Sequence, residues 1–406
     1  MSYRTAVVAV AALAVALTAC SNPQTEPEVR LFLAGQALIK KDPRIRWDDA
    51  YGTLRPILNR ADVAFTNFEM AVLSEGDRCG VPADYEVSFG TPSLPSGSRS
   101  GDTGGPHAVA PEVMAFLADL GFNLMSLSNN HAWDLGDCGV AATRAAAEAS
   151  GVAYAGTGPN ISEASAPGYL TVGDFTIALV AATTSHDERG AIGHAVNGVW
   201  TGRQDDWDRN LTAVREAAEN ADFVLFYQHF QLDPDEFSEN SPGDTTSDGH
   251  VWVDDLAKWQ TDFAHAVLDA GAAMFLGHGS RAFDGVEVYD GKPLIRQLGG
   301  FAYQGLNPVI GGYEQHRPWD GLIAEVIIQG GRAVRIEFTP LDLDEGETYR
   351  SEYEDLEFLS RRGLAQMAVG PQADSILRRL SDLSANYAAE LEVSGSKAIL
   401  EIGSGK

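Results

Sequence analysis

A layered α/β fold is what this sequence predicts, on three observations. Strand-length apolar runs alternate with stretches of helical spacing, the pattern of parallel strands joined by crossover helices. Gly173-Asp174, Asp290-Gly291 and Gly330-Gly331 separate further apolar runs as hairpin turns do. Four runs end in side chains that suit metal or substrate binding: Asn67-Phe68-Glu69, Asn129-Asn130-His131, Gln228-His229 and Gly277-His278-Gly279-Ser280-Arg281. In open α/β sheets ligand sites lie beyond the carboxyl ends of strands, so these turns form the candidate site. For Asn129-Asn130-His131 alone the alternative stays open that the amides cap a turn and His131 is structural.

Taken in order, Val29 to Ala34 reads as a buried strand ending at Gly35-Gln36. A helix is expected over about Asp48 to Asn59, then a strand over Asp62 to Thr66 that delivers Asn67-Phe68-Glu69. Ser74 to Pro106 is rich in Gly, Ser, Pro and Asp with little periodicity, which suits a long loop over the site. Pro111 to Leu120 has helical apolar spacing. A strand through Met125 follows, then the Asn-Asn-His turn and an alanine-rich helix from Gly139 to near Gly151. Val152 to Gly156 is a short strand, and Tyr169 to Val172 with Phe175 to Ala181 a hairpin.

In the second half, a helix over about Asp206 to Asn220 leads to a strand, Ala221 to Tyr227, presenting Gln228-His229. A polar insertion, Asp233 to His250, precedes a helix over about Val253 to Ala270 and a strand over Ala272 to Leu276. Val286 to Tyr289, Leu294 to Leu298, Leu322 to Gln329 and Ala333 to Thr339 read as strands. Tyr353 to Glu390 is expected to be helical, and Ser394 to Lys406 to fray.

At 406 residues and 44% hydrophobic content the chain can bury a substantial core. Its net charge of −28 repels phosphate backbones and anionic membrane surfaces, which argues against nucleic acid as a partner. Arg4, the small-residue apolar run Ala6 to Ala16 and Leu17-Thr18-Ala19-Cys20 read as a secretory signal with a lipoprotein box. On that reading residues 1–19 are a signal peptide, Cys20 is lipid-modified, and residues 20–28 are a tether that holds the folded domain outside the cell membrane. The run is too short for a comfortable membrane span, and an uncleaved anchor, the alternative, exports the same domain. Cys79 and Cys138 remain, and in an oxidising compartment they are expected to form a disulfide joining two loops.

With those residues in view, the chain resembles the CapA family of poly-γ-glutamate capsule synthesis proteins, whose domain looks like a calcineurin-type metallophosphatase. The resemblance covers about Val29 to Gln304. Its carriers are Ala61 to Glu69, similar to the family's A-D-x-x-x-x-N-x-E, and Asn129 to Gly136, similar to N-N-H-x-x-D-x-G. Thr157 to Asn160 with Glu163-Ala164, and Val286 to Pro293 with Leu298-Gly299, extend it. It implies a β-sandwich flanked by helices over residues 29–345, with a helical extension over 346–406.

The resemblance also implies site roles. Glu69, Asn130 and His229 would ligate metal and His131 would be an acid or face phosphate; beside these, Asp134 and Arg281 are further catalytic candidates, and Gln36, Asn67, Asn129 and His278 are candidates for substrate contact. Three positions depart from the family pattern. Its first strand ends in Gly-Asp, here Gly35-Gln36, and the two histidines of its G-x-H-x-H fall on Gly279 and Arg281. What remains suits a single divalent ion, manganese, magnesium or zinc, in an incomplete two-metal hydrolase site. The functional expectation is capsule or poly-γ-glutamate-type envelope polymer biosynthesis. The alternative is a non-catalytic protein binding an anionic polymer or a phosphate or carboxylate ligand, with Arg281 and His229 as anchors. His186-Asp187-Glu188, His250 and His316 read as surface loops, and Trp133 as packing.

Overall fold

A computed structural model of the chain describes residues 28–39, 42–45, 51–74, 78–81, 107–185, 192–200, 203–231, 244–245, 251–252, 258–279, 282–304, 319–343 and 363–403. The first elements are β1 (Glu28–Leu38), α1 (Arg55–Leu58), β2 (Val63–Phe68), β3 (Ala71–Val72), β4 (Ala108–Val109), α2 (Pro111–Leu120), β5 (Leu124–Ser126), α3 (Gly136–Ala149) and β6 (Ala153–Ala155). Next come α4 (Ile161–Ala164), β7 (Gly168–Val172), β8 (Phe175–Ser185), α5 (Gln204–Asn220), β9 (Phe223–Gln231), β10 (Asp244–Thr245), β11 (Val251–Trp252), α6 (Lys258–Ala270) and β12 (Met274–His278). The last are β13 (Val286–Tyr289), β14 (Lys292–Ile295), β15 (Gly300–Tyr303), β16 (Asp320–Gln329), β17 (Arg332–Asp342), β18 (Gln366–Met367), α7 (Gly370–Ala385), β19 (Glu392–Ser394) and β20 (Lys397–Glu401).

Most strands fall into two sheets. The larger runs β19-β20-β17-β16-β1-β2-β5-β6, with β15 beside β1 and β18 beside β17; the smaller runs β13-β14-β12-β9-β8-β7. β1, β2, β5 and β6 are parallel neighbours, as are β8, β9, β12 and β14. Polar residues that follow these strands therefore gather along one end of each sheet.

Strand alternation decides what lies between the sheets. Leu31 and Leu33 of β1, with Val63, Phe65 and Leu124, share one apolar cluster with Leu179, Leu225, Tyr227, Met274 and Leu276 of the smaller sheet. Phe32 and Ala34, the alternate residues of β1, face the other way, toward Val113, Phe116 and Leu117 of α2 and Ala147 of α3. On the far side, Val224, Phe226 and Phe275 pack on Val214 and Ala217 of α5 and on Phe263 and Val267 of α6. The layers thus run helix, sheet, sheet, helix, the helix-flanked sandwich expected from the sequence. Ile376, Leu377 and Leu380 of α7 join the inter-sheet cluster, each contributing about 1.5–3 kcal/mol by burial.

Several boundaries differ from expectation. Of the helix expected over Asp48 to Asn59, the described residues hold α1, preceded by a turn in which Tyr51 has φ 63°, and residues 48–50 lie outside the described ones. Of the helical region expected from Tyr353 to Glu390, α7 is the helix, and residues 353–362 lie outside the described ones. The tail from Ser394 does not fray as a whole: β19 and β20 pair around Gly395, at φ 61°, and β20 pairs antiparallel with β17. The cause is burial on one face of β20, where Ala398 and Leu400, followed by Ile402, enter the inter-sheet core. Leu400→Ala is accordingly expected to lower unfolding free energy by about 2–5 kcal/mol, read from urea melts; a wild-type midpoint would mean the strand adds nothing to the core. Among the described residues, no helix is long and apolar enough to cross a membrane.

Candidate functional site

The strand ends of both sheets meet. Gln36 of β1 is in register with Asn67 of β2, Asn67 with Ser126 of β5, and His229 of β9 with His278 of β12. Gln36, Asn67, Glu69, Asn129, His229 and His278 are each 2% exposed or less. Burial of so many polar groups in one place costs free energy unless they satisfy one another or a ligand.

His229 is its hub. The ring Nδ1 lies 3.5 Å from Asn67 Nδ2, the Nε2 lies 3.0 Å from Asn130 Oδ1 and 3.9 Å from Glu69 Oε1. One tautomer satisfies both nitrogens: Nδ1 accepts from the Asn67 amide, and Nε2–H donates to Asn130 Oδ1. Burial, with His278 and His131 nearby, holds the His229 pKa well below the usual histidine value, so the ring is neutral at neutral pH. Its approach to Glu69 is therefore that of a carboxylate to an uncharged imidazole.

Asn129 does the turn work that its residue type suggests. Its Nδ2 donates to Phe68 O at 2.8 Å and to Asn67 Oδ1 at 3.3 Å, and its Oδ1 accepts from the His131 N–H at 3.0 Å. The turn leaves His131 partly exposed, with Nδ1 2.8 Å from Asp134 Oδ2. Asp134 Oδ2 also accepts from the His107 N–H at 2.7 Å, and the His107 ring stacks on His131 with centroids 3.6 Å apart. Sequence reasoning missed His107, which closes the aperiodic loop; its one signal was its place immediately before the apolar pair Ala108-Val109.

His278 makes a different set of contacts. Its Nε2 is 2.6 Å from Gly299 O and 3.2 Å from Gln36 N. A single ring hydrogen serves the shorter contact, so Nε2–H donates to Gly299 O, and the Gln36 N–H also donates to Gly299 O, at 3.3 Å. His278 Nδ1 and Gln36 Oε1 then have no hydrogen-bond partner among the described residues. Burial lowers the His278 pKa to about 4, with the Gly299 bond opposing the shift.

Glu69, Asn130 and His229 thus bring a carboxylate, an amide oxygen and an imidazole together, a donor set that suits one hydrated divalent ion. Nearby, Gln36 carries no charge and Gly279 no side chain. Among the described residues, no group of three or more His, Cys, Asp and Glu side chains is arranged to hold a metal.

Cys79 and Cys138 are disulfide-bonded, with Cα atoms 5.5 Å apart, as the cysteine count suggested. The bond joins the loop after β3 to the first turn of α3, over an apolar patch of Ala71, Leu73, Val81, Ala108 and Leu135. Trp133 donates to Asp137 Oδ1 and packs beside Ala132 and Val196. Cys20, the His186-Asp187-Glu188 segment, Asp233, His250, Arg281 and His316 lie outside the described residues.

Two sheets between helices, with polar ends of parallel strands from both meeting in one buried cluster, define a four-layer α/β sandwich protein. The chain belongs to the bacterial capsule synthesis protein family PGA_cap, whose family model matches residues 30–304. The protein y4sH of Sinorhizobium fredii is 23% identical over 85% of this chain and 87% of its own length. The PGA biosynthesis protein CapA of Bacillus subtilis is 24% identical over 73% of this chain and 66% of its own. Among solved structures, a phosphatase from Mycoplasma pneumoniae aligns over 78% of this chain and 94% of its own, with TM-score 0.44 and 11% identity.

Proposed function

We propose that this chain is an exported, lipid-anchored protein of capsule or poly-γ-glutamate-type envelope polymer biosynthesis, with a reduced, single-cation hydrolase site. The observation that carries the reading is the convergence of Glu69, Asn130 and His229 in a buried cleft at the strand ends. The leader with Cys20 supports export and anchoring, and the Cys79–Cys138 bond agrees with an oxidising compartment.

A divalent ion bound there would act as a Lewis acid on a phosphoryl or acyl oxygen. The chain's own residues prepare the rest. Asn67 holds the ring of His229, and burial keeps that ring uncharged; to ligate an ion through Nε2 the ring would shift its hydrogen to Nδ1, with the Asn67 amide turned so that its oxygen accepts. Asp134 accepts from His131 Nδ1–H, leaving Nε2 as the atom of that ring that takes or gives a proton. Being neutral, His229 brings no positive charge to an anionic polymer, which favours the cation site over pure anion binding.

The test is elemental analysis of the soluble domain beginning after Cys20, alongside Glu69→Ala and His229→Ala. Near-stoichiometric metal in the parent, lost in either variant, is the expected result. A metal-free parent after supplementation with manganese and zinc would sink the reading and turn the search to anionic ligands near Arg281.

A further inference from the structure

The other half of the cleft, between β1 and β12, is built differently. His278 and His229 are register neighbours on parallel strands, so both rings project from the smaller sheet on the same side; their centroids are 6.2 Å apart. His278 crosses to the larger sheet and donates to the Gly299 carbonyl, which also accepts from the Gln36 N–H. Gly299 directly precedes β15, which pairs with β1 at Gln36 and Gly300.

The backbone around this imidazole is packed down to glycine. Gly279 has φ +140°, and a Cβ there would stand 1.6 Å from Phe230 O. A Cβ on Gly35 would stand 1.8 Å from Gly299 O. Both contacts are with backbone, which cannot rotate away as a side chain can. Gly279 is also where the family's pattern places a histidine.

We infer that His278 is an internal cross-link: its Nε2–H ties β12 to the Gly299 carbonyl just ahead of β15, which the Gln36 N–H of β1 shares, on the side of the cleft where a side chain at position 279, and so a second cation ligated by it, has no room. The chain has thus replaced one ligand-binding half of the cleft by its own side chain. Burial keeps the ring uncharged at neutral pH, so it needs no counter-charge. The inference goes beyond the cation reading and holds whether or not Glu69, Asn130 and His229 take an ion.

The experiment is thermal melting of the full-length chain and of His278→Gln, His278→Leu and Gly279→Ala, with manganese content measured for each and for Gly279→His. Glutamine keeps an N–H near the position of Nε2, so His278→Gln is expected to melt close to wild type. Leucine keeps bulk without the donor, and His278→Leu is expected to melt lower by about 2–4 °C, or to fail to fold while His278→Gln folds. Gly279→Ala is expected to melt lower by about the same amount, and no variant is expected to gain manganese over wild type. His278→Leu as stable as His278→Gln would overturn the cross-link. Gly279→Ala as stable as wild type, or an added manganese ion in Gly279→His, would overturn the closure. A wild-type chain without manganese would count against the cation reading alone.

Discussion

Replacing Cys79 and Cys138 by serine is expected to lower unfolding free energy by about 4 kcal/mol, the chain-entropy value for a loop of this size. The two cysteines are 59 residues apart, so the bond removes many conformations from the unfolded chain. Whole-domain stabilities are about 5–15 kcal/mol, which makes this a large fraction of the total. The loss should also reach the cleft, because Cys138 sits in the first turn of α3, just beyond the His131 to Asp134 turn. Urea unfolding of the double variant beside the oxidised parent is the measurement. Equal midpoints would show that the bond does not constrain the unfolded state.

Acid is the second strong perturbation. An unfolded histidine titrates near 6.5, whereas buried His278 titrates at about 4. Between those values the unfolded chain binds the proton and the folded chain does not, so folding stability must fall as pH falls through that window. Above about pH 6.5 the term vanishes; by about pH 4 it reaches about 3 kcal/mol. His229, lowered in the same direction by burial and by its histidine neighbours, adds to the loss. Melting temperatures should therefore be flat from pH 7 to 8 and drop steeply toward pH 4.5, with a shallower drop in His278→Gln. An NMR titration placing His278 near 6.5 in the folded chain would remove the basis of the prediction.

Much of the fold is legible in the sequence because burial imposes short-range periods. Pro111 to Leu120 carries the helical period and is α2; Gly173-Asp174 and Gly330-Gly331 mark tight turns between β7 and β8 and between β16 and β17. The polar residues after β2, β5 and β9 follow the strand-end rule, and Asn67, Asn130 and His229 do meet. Long-range geometry is less legible. The Gly277-His278-Gly279 triplet reads as a motif that has lost its ligands, and only the approach of Gly299 reveals what His278 bonds instead. His107 joins His131 through a fold-level juxtaposition that no local spacing announces. The stretch that forms β19 and β20 was expected to fray from Ser394, because so short a run takes its value from the neighbouring β17, which the sequence does not show.

The cleft draws its polar groups from two sheets that share a greasy plane between them. Glu69 and Asn130 stand at the ends of strands on one side of that plane; His229 and His278 stand on the other. A slip of one sheet over the other by a fraction of an ångström would change the His229 to Asn130 and His278 to Gly299 spacings together. Side chains deep in the plane, such as Phe65, Leu225 and Met274, therefore act as the shims of the site. A volume change there, made well away from any polar atom, is expected to retune the cleft through these spacings.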